Sequence, residues 1–458
     1  MSDGKVSGAR PHIVLINPWI TDFAAYNFWV KPLGLLTIAG LLREQGYRVS
    51  LIDCLDDCTR KKRFGDGNFL KTRIEKPGPL RNIPRYYSQY GISEAAFLQR
   101  LSSIRSPDVI GFTSGMTYWY PGLFKAIQMT RDFFRGAPVL LGGIYATLCP
   151  EHASKYSGAD FIVEGTGERE ALRLIGRLTG VEACSPPAES DRDFQFQPLH
   201  FPLDFDLLPY PAFDLYPRLD FVCIRTTRGC PLNCAYCASR LLYSGFDRRD
   251  PLRVVEEIEH WSNRRGVKHI AFYDDALLIH PRDHVIPFLK EILKRGIRSS
   301  FHTPNGLHIR EIDEEVAALL FKAGFKTIRL GFETSAEETQ KGTGGKVGNR
   351  EFVQAVKHLR KAGYSGDEIG VYVMAGLPGQ RAEEAEETVA FVQEAGARPF
   401  IAEYSPIPGT LLFEKAKRFS PFDIEGEPLF QNNSILPCQW KGFTRDDYRR
   451  LKAMIRMN

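Results

Sequence analysis

Three cysteines, Cys230, Cys234 and Cys237, fall within eight residues in the stretch TRGCPLNCAYCASR, spaced C-x3-C-x2-C, with Tyr236 directly before the last. Three thiolates on one short loop can ligate three irons of a [4Fe–4S] cluster, for which cysteine thiolates are the usual protein ligands. The fourth iron then has no protein ligand nearby, and an open iron can bind a small chelating molecule and pass it an electron. Two plainer readings compete. Structural zinc takes four ligands in tetrahedral geometry, commonly as two separated pairs, and no second pair completes the set. Three unrelated buried thiols so close together would be a coincidence in a chain with nine cysteines.

The elements that must hold this loop belong to a chain of 458 residues, long enough for two or three cores. A net charge of +5 is small for that length and gives little support for DNA or RNA as a general partner. The first residues, MSDGKVSGARPH, lack an apolar signal region, and no run of 18 or more apolar residues occurs, so no transmembrane segment is expected. An odd number of cysteines, three in a tight ligand spacing, fits a reducing compartment, and the expected location is cytoplasmic.

Residues 1–182 alternate short β-rich runs with helical patterns: strand signals at 12–18, 48–54, 109–115, 138–144 and 161–165, helical ones at 33–47, 123–134, 152–156 and 168–178. This alternation predicts an α/β fold with a doubly wound, Rossmann-like parallel sheet. Ligands of such sheets bind beyond the carboxyl ends of the strands. Those ends carry Asn17, Asp53, Thr113, Ser114, Gly115, Met116, Thr117, Gly142, Gly143, Glu164, Gly165, Gly167 and Glu168. An insertion at about 55–92 has nine Lys or Arg against two acidic residues between Arg60 and Gln89, interleaved with Phe64, Phe69, Tyr86 and Tyr87. It reads as a solvated, lid-like loop, with a site for an anionic or ring-bearing substrate, or for single-stranded RNA, as the sharper alternative. Cys54 and Cys58 are spaced C-x3-C; buried thiols are the plain reading and an auxiliary cluster the sharp one. Residues 183–219, rich in proline, aspartate and phenylalanine, read as a linker.

From residue 220 to 416 six further βα units follow, with strands expected at 221–226, 269–273, 299–303, 327–332, 370–375 and 400–404. Val254, Val255, Ile258 and Trp261 share one helical face, as do Phe352, Val356 and Leu359. Six units are too few for a closed eightfold barrel and predict an open one. The residues with chemistry to offer come after the strands, where a parallel barrel places its site. These are the cysteine loop, then Asp274 and Asp275, His302 and Asn305, Glu333, residues 376–379 and residues 405–409. Residues 417–458 form a short tail with a helix expected at 445–457 and a lone Cys438 whose plain reading is burial.

The cysteine loop resembles the signature loop of radical S-adenosylmethionine (SAM) enzymes, and six βα units suit their partial (β/α)6 barrel. The stretches KPLGLLTIAGLLREQGYRVSLID, DVIGFTSGMTYWYPG, VLLGGIYAT and FIVEGTGERE resemble the cobalamin-binding domain found at the N-terminus of many such enzymes. The resemblance implies that Cys230, Cys234 and Cys237 hold the cluster. It implies that Tyr236, Asp274, Asn305, Glu333 (in GFETS) and Met374, Gly376 and Pro378 (in MAGLPGQ) hold SAM, with YSPIPGT at 404–410 matching the family's end-piece. Asp53, Ser114, Gly115, Met116, Thr117, Tyr118, Gly142, Gly143, Glu164, Gly165 and Gly167 then face cobalamin. One departure stands out: the D-x-H-x-x-G motif that gives cobalt a histidine is absent, since Cys54 and Leu55 follow Asp53. Loop 114–120 (SGMTYWY) would then meet the lower face of cobalamin without a histidine ligand. The implied chemistry is one-electron cleavage of SAM to methionine and a 5′-deoxyadenosyl radical, fed by a donor such as flavodoxin or ferredoxin. Methyl transfer to an unactivated carbon of a small or lipid-like substrate would follow. Cobalamin-independent rearrangement or ring formation, and a non-catalytic iron–sulfur electron carrier, are the competing readings.

Overall fold

Apolar strand runs and amphipathic helices close into two parallel sheets in a computed structural model that describes residues 10–56, 59–62, 64, 66–181 and 204–456. The first sheet takes β1 (His12–Asn17), β2 (Arg48–Asp53), β3 (Val109–Phe112), β4 (Val139–Leu141) and β5 (Phe161–Ile162) in the order β5-β4-β3-β1-β2. All four pairings are parallel. This is a doubly wound order with its reversal between β1 and β3, and the crevice beyond the strand ends at such a reversal is where open α/β sheets bind ligands. The strands are apolar on both faces, Ile13, Val14, Leu15 and Ile16 being fully buried, because helices cover the sheet from two sides.

The second sheet runs β6 (Phe221–Ile224), β7 (His269–Phe272), β8 (Ser300–His302), β9 (Phe325–Glu333), β10 (Ile369–Ala375) and β11 (Arg398–Glu403) in sequence order. Every neighbour pair is parallel. The connecting helices begin where their caps say they should. Asp250 accepts from the backbone of Leu252 and Arg253 before the helix Pro251–Glu259, and Asp313 accepts from Val316 before Glu314–Ala323. Six parallel strands leave the barrel unclosed, as the unit count requires.

The N-terminal half fills the gap. Trp29 lies face to face on His302 with ring centroids 4.0 Å apart and planes 7° from parallel, and its indole N–H donates to the carbonyl of Phe64 at 2.9 Å. His302 also meets His269 at 3.1 Å and Thr327 at 3.2 Å, and is fully buried. The position of His302 at the end of β8 makes it a candidate for the mouth of the barrel, but its ring is committed to this packing. Tyr273 donates to the carbonyl of Phe28 at 2.7 Å, and the thiol of Cys223 reaches that of Lys31 at 3.8 Å.

The basic insertion is more ordered than a solvated lid. Its strands join residues upstream in two small antiparallel sheets. One pairs Ile20–Asp22, Tyr87–Tyr90 and Lys71–Ile74; the other pairs Tyr26–Asn27, Gly67–Phe69 and Thr59–Lys61. Tyr87 and Tyr90 are buried in these sheets, which sequence periodicity missed because the strands are only two to four residues long. Cys54 is buried, as its plain reading has it, while Cys58 lies outside the described residues. Of the linker, residues 183–203 lie outside them too; the remainder packs on the first sheet, with Tyr216 donating to Asp53 at 2.6 Å.

The stacked indole ties the two halves together. Trp29→Ala is expected to cost about 3–5 kcal/mol and to lower the thermal unfolding midpoint, whereas Trp29→Phe retains most of it. A Trp29→Ala chain that melts with the parent would show that this contact does not join the halves.

Candidate active site

The cysteine loop leaves β6 through Thr226 and Thr227, whose position is set by one buried carboxylate. Asp274, at the end of β7, accepts from the Thr226 backbone and hydroxyl at 2.8 Å each, from the Thr227 hydroxyl at 2.9 Å and from the Thr227 backbone N–H. All four bonds fall on Oδ1; Oδ2 is buried with no partner among the described residues. Burial pushes the Asp274 carboxyl up to about 6, against the pull of those four donors. Asn305 donates to the Asp274 carbonyl at 3.1 Å, and Asp275 accepts from Ser239, just past the last cysteine, at 2.8 Å. The acidic pair thus grips the loop at both ends.

A second brace comes from residues 343–346. The Ala235 N–H donates to the Thr343 carbonyl at 3.0 Å. Gly344, at φ +119°, packs so close that a Cβ there would lie 2.9 Å from the Asn233 carbonyl oxygen. Only glycine allows both the backbone angle and the approach. The turn carries Lys346 to Glu333, the last residue of β9, where the two form an ion pair of 2.8 Å. Glu333 itself stands at φ +67°, a region that non-glycine residues enter at a cost and that recurs at functional sites.

The three sulfurs share one small region. Burial and the charges of the other two thiols push Cys230 up to about 11, and burial raises Cys234 and Cys237 as well. Three thiolates gathered in a half-buried pocket repel one another, so the site favours a cation. Burial works against the Lys346 charge too, but Glu333 and Cys234 more than restore it, and its pKa lies above the ordinary lysine value. Among the described residues no three His, Cys, Asp or Glu side chains close on a single metal ion. Thiolates that ligate separate corners of a cluster stand farther apart than ligands of one ion, and the donor set suits iron–sulfur chemistry. The aromatic neighbour is placed accordingly: Tyr236 and Met374 pack against the cluster that holds Leu377 and Tyr404, and the Tyr404 hydroxyl is buried with no partner among the described residues. The turn after β10 is held by one side chain. Gln380 accepts from the N–H groups of Gly376 at 2.8 Å and Leu377 at 3.2 Å, and donates to the Met374 carbonyl at 3.0 Å, with Pro378 buried between them.

Across the barrel mouth stand the strand ends of the first sheet. A cavity of about 490 Å³ is lined by Thr147, Leu148, Glu164 and Gly165 from one side and by Leu241, Pro408 and Gly409 from the other. Gly165 donates its N–H to Thr147 at 3.0 Å, and Gly167 opens the helix Glu168–Thr179. Deeper in, Ser114 binds the turn after β4: its hydroxyl donates to the Gly142 carbonyl at 2.7 Å, and a Cβ on Gly143, at φ +95°, would collide with the Ser114 backbone. Thr117 and Tyr118 are buried under the C-terminal tail, where Tyr118 lies 3.5 Å from Asn433, while Met116 is exposed. Gly115 leaves no room for a Cβ beside the Trp119 ring. Asp53 is set apart from this group: it ends β2 at the edge of the sheet, and its carboxylate is taken by Asn17 at 2.7 Å, the Leu55 N–H at 2.9 Å and Tyr216. The structure therefore gathers the residues of β3, β4 and β5 and leaves Asp53 elsewhere.

Lys346 and His308 belong to the site although sequence spacing did not single them out. His308 Nε2 lies 3.8 Å from the Cys230 sulfur, and burial together with Lys346 pushes its pKa down to about 4. A lysine within a glycine-rich turn, TGGK, was the one available signal for the first; no signal marked the second.

The model of the radical SAM superfamily matches residues 224–392, and that of the B12 binding domain matches residues 86–175. An uncharacterized methyltransferase of Pyrococcus horikoshii is 25% identical over 359 residues, covering 74% of this chain and 73% of its own length. An anaerobic magnesium-protoporphyrin IX monomethyl ester cyclase of Rubrivivax gelatinosus is 26% identical over 361 residues, 73% of this chain but only 63% of the relative. A cytidylyl-2-hydroxyethylphosphonate methyltransferase of Streptomyces wedmorensis is 23% identical over 486 residues, 94% of this chain and 87% of the relative. The solved radical S-adenosylmethionine methyltransferase TsrM of Kitasatospora setae shares the fold at a TM-score of 0.64 and 18% identity, over 89% of this chain and 76% of that one. The cofactors that go with the two matched domains are a [4Fe–4S] cluster with SAM, and cobalamin. With its three clustered thiols at the mouth of an open parallel barrel and a doubly wound sheet facing that mouth, this chain joins a segment that matches the B12 binding domain to one that matches the radical SAM superfamily.

Proposed function

We propose that the protein transfers a methyl group to an unactivated carbon of a small organic substrate, in a reaction begun by one-electron cleavage of SAM. The observation that carries this reading is the cavity lined jointly by the ends of β4 and β5 and by the cysteine-loop side of the barrel mouth. A methyl carrier on the sheet and SAM on the barrel would meet there. When bound, the cluster would supply the electron and an open iron for SAM to chelate, and cobalamin would supply the methyl carrier. The relatives named as methyltransferases support the same outcome.

The side chains of the mouth have definite tasks in this reading. Cys230, Cys234 and Cys237 hold the cluster. Lys346, a cation beside two of them, pairs with the carboxylate of SAM, and Glu333 accepts from its amino or ribose groups while holding the lysine in place. Tyr236, Met374, Gly376 and Pro378 line the adenine, on a turn that Gln380 keeps rigid. Asp274 and Asn305 hold the loop, and Asp274 has one free carboxylate oxygen for a SAM hydroxyl. Ser114, Gly115, Met116, Thr117, Tyr118, Gly142, Gly143, Glu164, Gly165 and Gly167 hold cobalamin, with Asp53 acting from outside the contact surface. Residues 1–182 and 220–416 act as the two working units, joined by 183–219. A reduced flavodoxin or ferredoxin suits the donor's role, and an oxygen-sensitive cluster suits the cytoplasm. No helix among the described residues is long and apolar enough to cross a membrane.

Purified without oxygen and reconstituted with iron, sulfide and cobalamin, the protein is expected to show a cobalamin absorption band and to release 5′-deoxyadenosine from SAM on reduction. Cys234→Ala should abolish that release while the protein stays folded; 5′-deoxyadenosine from the variant would sink the assignment of the cluster. Lys346→Ala is expected to lose about 1.5–3 kcal/mol of SAM binding, read as a rise of about ten- to a hundredfold in the KM for SAM. An unchanged KM would remove Lys346 from the SAM site.

A further inference from the structure

Each of the three cysteine sulfurs has its own polar neighbour. The Ser239 N–H donates to Cys237 at 3.4 Å, Tyr236 and Lys346 stand by Cys234, and the imidazole of His308 stands by Cys230 at 3.8 Å, within reach of a hydrogen bond to the large sulfur atom. The first two neighbours come with the loop or with the SAM pair. His308 comes from a different part of the chain, 78 residues away, and nothing in the reading above uses it.

Its position is built. Leu307 forms a parallel bridge with Leu330, donating to the Arg329 carbonyl at 2.8 Å and accepting from the Gly331 N–H at 3.3 Å. Gly306 presses on β9 so closely that a Cβ would lie 2.9 Å from the Gly331 Cα. The backbone before His308 is therefore pinned to the strand that carries Glu333. On the ring, Nδ1 is buried with no partner among the described residues, so Nε2 is the nitrogen whose proton has an acceptor to meet. A ligating thiolate is acceptor-only, which makes the imidazole the donor.

We infer that His308 donates a hydrogen bond from Nε2 to the sulfur of Cys230 and thereby raises the reduction potential of the cluster that the cysteines hold. Hydrogen bonds to the sulfurs, with net charge and exposure, set such potentials. A donor favours the reduced cluster, which carries one more negative charge on its sulfurs. His308 is thus a tuning residue that eases the first electron in, and it touches neither SAM nor the methyl group. The inference rests on Cys230 being a cluster ligand.

The test uses the full-length chain with its cluster reconstituted, without SAM or cobalamin, in a redox titration followed by electron paramagnetic resonance. His308→Leu, similar in bulk and without a donor, is expected to lower the ratio of reduced to oxidised cluster about tenfold at a given potential, a shift of about 59 mV for one electron. His308→Gln, which places an N–H at the same reach, should recover most of it. A His308→Leu protein that loads its cluster and titrates with the parent overturns the inference, as does a fall that His308→Gln does not correct, since that assigns the effect to packing. If His308→Leu fails to hold a cluster, the parent protein labelled with nitrogen-15 histidine decides. A histidine nitrogen coupling to the reduced cluster supports the bond, and its absence overturns it. A parent chain that takes up no cluster sinks the reading of the cysteines as well, so the two failures are told apart.

Discussion

An open parallel barrel has two deficits that a closed one lacks: an interior that its own strands do not fill and edge strands with unpaired backbone. In this protein the interior is filled from the N-terminal half, which also binds side chains at the first two strands of the barrel. Trp29 and Phe64 pack on His302 and His269 inside the strands, and the backbone of residues 28–31 accepts from Tyr273 and Cys223. The two halves are consequently not independent beads. The sheet that faces the barrel mouth is held there by the same contacts that complete the barrel, and the shared cavity follows from that closure.

Electrostatics at the mouth depends on this enclosure. Gathering three thiols in a partly buried pocket raises their pKa values, so the free protein holds them protonated and an iron–sulfur core would have to displace those protons on binding. Lys346 shares the enclosure and keeps its proton through Glu333. The carboxylates divide by position: Asp274 and Asp275 act on the cysteine loop from behind, and Glu333 acts from the front. Their separate tasks arise from which strand each one ends.

The cysteine loop, the six βα units and the doubly wound sheet were legible because each is local. Ligand spacing spans eight residues, strand and helix periods span one element each, and caps such as Asp250 and Asp313 precede their helices directly. The insertion was less legible. Its strands pair with residues 20–22 and 26–27, far upstream and too short to show a period. Asp53 and His302 illustrate the limit of reading function from strand ends. Both follow the rule of position, and both turn out to be engaged by partners 163 and 273 residues away, Tyr216 and Trp29.

What the sequence by itself determined was the chemistry on offer: three thiols on one loop, an aromatic residue among them, and a succession of strands ending in polar residues. Their types and spacing are properties of short segments, and short segments fold under their own constraints. Tertiary structure alone decided which of those residues share a site. It brought Lys346 to Glu333 and His308 to Cys230, fixed Ser114 against Gly143, and left Asp53 at the far edge of its sheet. The physical reason is that parallel strands place residues side by side according to strand order and register, and neither order nor register is written in any single segment.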